Sequence, residues 1–342
     1  MIRKIRVLIV DDSIVFQKLL IESLADDPAI EVVATAGDAY AARDAILQFH
    51  PDVMALDIEM PRMNGIEFLR RLMPQYPIPT VMVSALDSKV FDALEAGAVD
   101  FVNKPNGMTQ EQAKRYLKKE LGIKLKIAST VKVSKMKYKR DMTSQISCCK
   151  KGEDFVIAIG ASTGGTEAIL EVIRKFQKDI PGVVIVQHMP PGFTAMYAKR
   201  LNDLCQVTVK EAKTGDRVLP GQVLIAPGDA HMRLVRMHGG YQVECSKGEK
   251  VSGHCPSVDV LFESVAKAAG KKSIGVILTG MGKDGADGLL AMRKAGARTI
   301  GQDEKSCVVY GMPKVAYDIG AVEMQASISN IGQKVYQLLA NL

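Results

Sequence analysis

Short apolar runs separated by helix-length amphipathic stretches set the pattern of this chain. In the first 120 residues the runs fall at 5–10, 30–35, 53–56, 80–83 and 98–102. Between and after them lie segments with helical spacing of apolar positions, starting near Ser13, Asp38, Asn64, Ser88 and Thr109. Ser, Asp, Asn and Thr are the residues whose side chains accept the free N–H groups of a first helical turn. Five strand–helix repeats predict a flavodoxin-like (βα)5 domain, a parallel doubly wound sheet whose functional groups collect at the carboxyl ends of the strands. A second α/β pattern begins at residue 154. Its strands are expected at 155–159, 183–187, 223–226 and 274–279, and its helices near 166–177, 257–269, 285–294 and 331–339. A β-hairpin is expected at 231–237 and 241–245, around Gly239-Gly240, where glycine supplies positive φ. The second half therefore reads as an α/β, doubly wound, mostly parallel sheet with a hairpin.

Charge changes that picture in one place. Apolar residues make up 47% of the 342 and charged residues 24%, which suffices for two ordinary cores. The net charge of +7 is unevenly spread: residues 114–151 hold 13 Lys or Arg against Glu120 and Asp141, leaving the remainder at −4. This stretch is rich in Ser and Thr and reads as a basic flexible linker at 122–152, between domains at 1–121 and 153–342. A nucleic-acid-binding tail is the alternative, but only Tyr116 and Tyr138 are there to stack on bases, and no helix-turn-helix signature follows. The six cysteines show no C-x-x-C spacing and read as free thiols. The apolar run before Asp11-Asp12 is too short for a secretory signal, and no stretch is long enough for a membrane span. The expected location is the cytoplasm.

Polar residues at the ends of the first five strands carry a chemistry. Asp11 and Asp12 follow the first strand, Asp57 closes the third, Ser84 the fourth, and Lys104 follows the fifth. Three carboxylates brought together repel unless a hard divalent cation joins them, so Mg²⁺ is expected. Phosphoryl transfer asks for positioning and charge neutralisation, which a metal, an ammonium and a hydroxyl supply around one acceptor carboxylate. In Asp11-Asp12, Leu56-Asp57-Ile58-Glu59-Met60-Pro61, Ser84 and Lys104-Pro105 the segment resembles the response-regulator receiver domain over its whole length. The resemblance implies that a histidine kinase is the phosphodonor and Asp57 the acceptor. It also implies that Mg²⁺ sits on Asp11, Asp12, Asp57 and the Glu59 backbone carbonyl, with Ser84, Phe101 and Lys104 as the switch.

The second half opens with Gly160-Ala161-Ser162-Thr163-Gly164-Gly165 directly after a strand. The spacing is not G-x-G-x-x-G, and the next strand ends Val186-Gln187-His188 instead of in a ribose-binding acid, so a dinucleotide cradle is disfavoured. A serine hydroxyl needs a base to remove its proton, and the base needs an orienting carboxylate. His188 and Asp284, at two further strand ends, offer both, and backbone N–H groups in the glycine-rich turn at 279–288 offer an oxyanion site. Each residue also has a plainer role, as helix cap, loop histidine or first-turn acid, and Asp287 competes with Asp284. His231, entering a hairpin strand, His238 in its turn, and His254, in a loop beside Cys255, are weaker candidates for the base. The order Ser, His, Asp differs from the Ser, acid, His of α/β-hydrolases, which points to another fold.

At Ile159–Gly165, Gln187-His188-Met189 and Leu278–Gly285 the chain resembles the catalytic domain of the chemotaxis-receptor methylesterase (CheB) family. That resemblance implies Ser162 as nucleophile, His188 as general base and then acid, and Asp284 as its orienter. Thr163 would line the site and the Met281 N–H would serve the oxyanion. The implied reaction is hydrolysis of γ-glutamyl methyl esters on chemoreceptor cytoplasmic helices, with deamidation of some glutamines, needing no cofactor. Phosphorylation of Asp57 would control access to Ser162. Cys255 stands between His254 and Pro256, where the family usually has an arginine. A non-catalytic adaptor, with the three residues acting only as caps, is the competing reading.

Overall fold

The computed structural model describes residues 3–85, 87–131, 133 and 154–341, which divide into two compact units, Met1–Arg140 and Asp141–Leu342. In the first unit β1 (Ile5–Val10), α1 (Ile14–Leu24), β2 (Ile30–Ala36), α2 (Ala39–Phe49), β3 (Val53–Leu56), α3 (Gly65–Leu72), β4 (Thr80–Ser84), α4 (Lys89–Glu95), β5 (Asp100–Asn103) and α5 (Gln110–Ser129) alternate along the chain. The strands form one parallel sheet in the order β2-β1-β3-β4-β5. Each helix begins one residue after its expected cap. Ser13, Asp38 and Asn64 accept first-turn N–H groups, and Thr109 forms a reciprocal capping box with Gln112. Residues Val53–Leu56 are buried on both faces, as a central parallel strand covered by helices requires.

One boundary differs from the sequence reading. Helix α5 runs on to Ser129, past the point where a linker was expected to begin at residue 122. Leu117, Leu121, Leu125 and Ala128 are buried along one stripe of it, so an amphipathic face underlies the dense lysines. Beyond this helix, residues 132 and 134–152 of the expected linker lie outside the described residues.

The second unit runs β6 (Val156–Ala161), α6 (Gly165–Ile173), β7 (Gly182–Gln187), α7 (Phe193–Leu204), β8 (Thr208–Glu211), β9 (Gln222–Ile225), β10 (His231–Met237), β11 (Gly240–Ser246), α8 (Val258–Ala268), β12 (Ser273–Ile277), α9 (Ala286–Lys294), β13 (Arg298–Gln302), α10 (Met312–Asp318), β14 (Met324–Ala326) and α11 (Ile328–Ala340). Seven strands pair in parallel in the order β14-β13-β12-β6-β7-β9-β8, while β10 and β11 form a separate antiparallel hairpin. The hairpin packs on α8, where the Leu234 N–H donates to Ser264 Oγ at 2.9 Å. Strands β8, β13 and β14 were not expected from the sequence. The first is a polar edge strand, the second contains a glycine between polar ends, and the third is three residues long. Helix α6 stops at Ile173, short of the expected residue 177. Its end tightens into i→i+3 bonds at Lys175 and Phe176, and the Gln177 N–H turns to the Tyr336 hydroxyl on α11, 2.7 Å away.

Register then decides what can meet. Gly160 pairs with both Val186 and Ile277, so β12, β6 and β7 end level with one another. The chain reverses its direction of strand addition between β6 and β12, and in the first unit between β1 and β3. Such switch points open a crevice beyond the strand ends.

Candidate functional sites

In the first unit Asp11, Asp12 and Asp57 leave β1 and β3 at the switch point, with one carboxylate oxygen from each lying within 4.8 Å of the others. Asp11 and Asp57 are buried, and Asp12 is exposed. Lys104, just past β5, places its Nζ 2.8 Å from Asp11 Oδ2 and 2.6 Å from Asp57 Oδ2. Burial pushes the Asp57 carboxyl above its ordinary value, and this outweighs the lowering by Lys104. Burial acts to lower Lys104, but its two carboxylate partners prevail and raise it. Oxygen-only donors at this spacing suit a hard cation such as Mg²⁺. Glu59 follows two residues after Asp57, and its side chain is exposed. Ser84 is buried at the end of β4, and Phe101 is buried in β5, edge-on to Phe91 at 6.5 Å between ring centres.

In the second unit the turn after β6 is shaped around Ser162. Gly164 takes φ +75°, and an added Cβ would lie 2.6 Å from Val308, so both backbone and space demand glycine there. The Ser162 N–H donates to the Thr279 carbonyl at 3.0 Å, joining this turn to the one after β12. Gly280 is constrained by space alone, since a Cβ would sit 2.7 Å from that of Ser162. This close approach sets Met281, half exposed, one residue from the serine turn. Thr163 is buried beside Ser162, and its carbonyl accepts from Thr279 Oγ1 at 3.0 Å.

His188, at the end of β7, lies between Ser162 and Asp284. Its Nδ1 is 3.1 Å from Ser162 Oγ, and its Nε2 is 2.7 Å from Asp284 Oδ2. Carboxylate on one side and hydroxyl on the other favour the tautomer with the proton on Nε2, leaving Nδ1 to accept from the serine. Asp284 is buried and also accepts from Ser257 Oγ at 2.7 Å, the Val258 N–H at 2.7 Å and the Asp259 N–H at 3.1 Å. Burial alone would raise it, but His188, Ser257 and Val258 together bring it down to about 2. Neighbouring Asp259 goes the other way. Burial is its largest influence, opposed by the Gly288 N–H and reinforced by the charge on Asp284, and it is pushed up to about 6. Asp287, the rival acid, sits in the first turn of α9.

Two features of the site were not legible in the sequence. His254 stacks on His188, with ring centres 3.7 Å apart and planes 12° from parallel. It is held by a tight turn in which Val251 and His254 exchange both backbone hydrogen bonds, with Ser252 and Gly253 at positive φ between them. Ser257, legible only as the start of a helix, gives its hydroxyl to Asp284 while capping α8. Cys255, between His254 and Pro256, is half-buried.

Residues 157–335 match the CheB methylesterase family, and residues 7–116 match the response regulator receiver domain. The chain is similar to the protein-glutamate methylesterase/protein-glutamine glutaminase 2 of Syntrophomonas wolfei subsp. wolfei, with 60% identity across 100% of this chain and 99% of the relative. It is 48% identical to the protein-glutamate methylesterase/protein-glutamine glutaminase of Salmonella typhimurium, over 99% of this chain and 97% of that one. Among solved structures, the Thermotoga maritima CheB methylesterase catalytic domain matches with a TM-score of 0.53 and 39% identity, covering 55% of this chain and 99% of that chain.

Proposed function

This chain belongs to the CheB methylesterase family and joins that hydrolase to a response regulator receiver domain, and from this premise we propose how its residues divide the work. It is a carboxylic ester hydrolase of chemotaxis, a protein-glutamate methylesterase and protein-glutamine glutaminase. Its substrates are methylated chemoreceptors, with γ-glutamyl methyl esters of their cytoplasmic helices as the reacting groups.

Ser162 is the nucleophile. His188 Nδ1 takes the Oγ proton as Oγ bonds to the ester carbonyl carbon, and the N–H groups near Thr163 and Met281 receive the developing oxyanion. The imidazolium returns the proton to the methoxy oxygen, the C–O bond breaks, and methanol leaves an acyl-enzyme. Water activated by His188 then releases glutamate. A glutamine side chain follows the same path with ammonia as the leaving group. Asp284 stays ionised throughout, and four donors fix its direction, so it stabilises the imidazolium without taking its proton. The observation that carries this reading is His188 bridging Ser162 Oγ and Asp284 Oδ2 at 3.1 and 2.7 Å.

In the receiver, Asp57 accepts the phosphoryl group from a histidine kinase. Asp11, Asp12, Asp57 and the Glu59 carbonyl would hold Mg²⁺, which neutralises phosphoryl oxygens when bound. Lys104 supplies the second positive charge, and Ser84 and Phe101 form the part of the receiver that responds. Among the described residues no helix is long and apolar enough to cross a membrane.

Release of methanol from methylated receptor tests the assignment. The wild-type chain is expected to release it, and Ser162→Ala to lose about 10⁶-fold in kcat while melting like the wild type. Turnover persisting in Ser162→Ala would remove Ser162 as the nucleophile, and no release by the wild type would leave the adaptor reading in possession.

A further inference from the structure

His231, set aside in the sequence as the first residue of a hairpin strand, is 2% exposed, and both its ring nitrogens are engaged. Nε2 lies 2.8 Å from the Glu249 carbonyl oxygen. A carbonyl only accepts, so Nε2 carries the ring proton. Nδ1 lies 3.2 Å from the backbone nitrogen of Ser257, whose N–H only donates, so Nδ1 is bare. Two backbone groups of opposite polarity thereby fix the ring in one neutral tautomer.

The residue held by Nδ1 is the cap of α8. Ser257 Oγ donates a hydrogen bond to Asp284 Oδ1, and the next two N–H groups of the same turn donate to the same carboxylate. A helix N-terminus receives a carboxylate well, but only from the direction that its first residues set. The Oδ2 of that carboxylate, which accepts from the Val258 N–H, also meets His188 Nε2 at 2.7 Å. An unbroken line of hydrogen bonds thus runs from the Glu249 carbonyl through His231, Ser257, Asp284 and His188 to Ser162 Oγ.

We propose that His231 is a positioning residue of the hydrolytic site: by accepting the Ser257 N–H it sets where α8 begins, and through Ser257 it fixes the angle at which Asp284 faces His188. The inference rests on Asp284 being the orienter of His188. Both partners of the His231 ring lie outside its own strand, one in the loop after β11 and one at the start of α8.

Three substitutions in the full chain separate the acceptor from the bulk. Asparagine carries an oxygen near the place of Nδ1. Glutamine reaches the place of Nε2 and keeps only the bond to Glu249. Leucine keeps volume and neither bond. Methanol release from methylated receptor is measured at limiting and saturating substrate. For His231→Leu and His231→Gln, kcat is expected to fall about 10- to 100-fold with KM unchanged, the size of loss that small misplacement of a reacting group produces. His231→Asn is expected to keep most of the wild-type kcat. The low-field proton signal of the His188–Asp284 bond should move in the first two variants and stay in the third. Wild-type kcat in His231→Gln, or an equal loss in folded His231→Asn and His231→Gln, would overturn the proposal, and this comparison holds even if the leucine variant does not fold. The Ser162→Ala control reads separately: turnover there removes the reading of the site itself, whereas a silent control with unaffected His231 variants removes only the role of His231.

Discussion

Asp57 shows how one carboxyl group can be held against its own preference. Burial raises its pKa above the ordinary 3.8, more than Lys104 lowers it. The sign follows from linkage: a folded value above the unfolded one means that stability is greatest below pH 3.8 and is lost as pH rises through the folded value. At neutral pH the ionised Asp57 therefore costs the receiver stability. In EDTA at pH 7, Asp57→Asn is expected to unfold at higher denaturant than the wild type, with the difference closing as the pH is lowered towards 4. An equal or lower midpoint at pH 7 would show that the Lys104 pairing outweighs burial. Asp284 is the opposite case, held low by partners that point at it. Chemistry at this scale was partly readable. Acidic and basic residues at strand ends announce themselves, but the ring of His254 lying on His188 depends on a turn whose fold is set by Ser252 and Gly253 far along the chain.

At the scale of the element, local sequence was most reliable where a helix has a cap. Ser13, Asp38, Asn64 and Thr109 each mark a start to within a residue, because the capping hydrogen bond is made by the residue itself and its next three neighbours. Ends were read less well. Helix α5 continues to Ser129 because Leu121, Leu125 and Ala128 are buried along one face of it, which a density of lysines conceals. Leu125 is fully buried, so Leu125→Ala is expected to destabilise the receiver by about 2–5 kcal/mol, as removal of a large core side chain does. Chemical denaturation of the full chain checks this; a loss near zero would return residues 122–129 to the linker. Strands β13 and β14 escaped notice because a parallel pairing, not an alternating pattern, makes them strands.

At the scale of the whole molecule, one chain carries a receiver sheet and a methylesterase sheet, each with its candidate site at a topological switch point. A phosphodonor with Mg²⁺ is expected to raise methanol release by the full chain, and Asp57→Asn to abolish that response while leaving the basal rate; an unchanged rate in the wild type would refute control by phosphorylation. The family, the α/β class and the strand-end residues were determined by the sequence itself, since strand–loop–helix repeats put polar residues at strand ends whatever the packing. What only the tertiary structure decided is which of those residues meet, and from which side. The shared register of β12, β6 and β7 sets Ser162 beside His188, and the start of α8 delivers Ser257 to Asp284. His231, apart from all three in sequence, joins them because a hydrogen bond is satisfied by proximity in space, and no spacing along the chain encodes that.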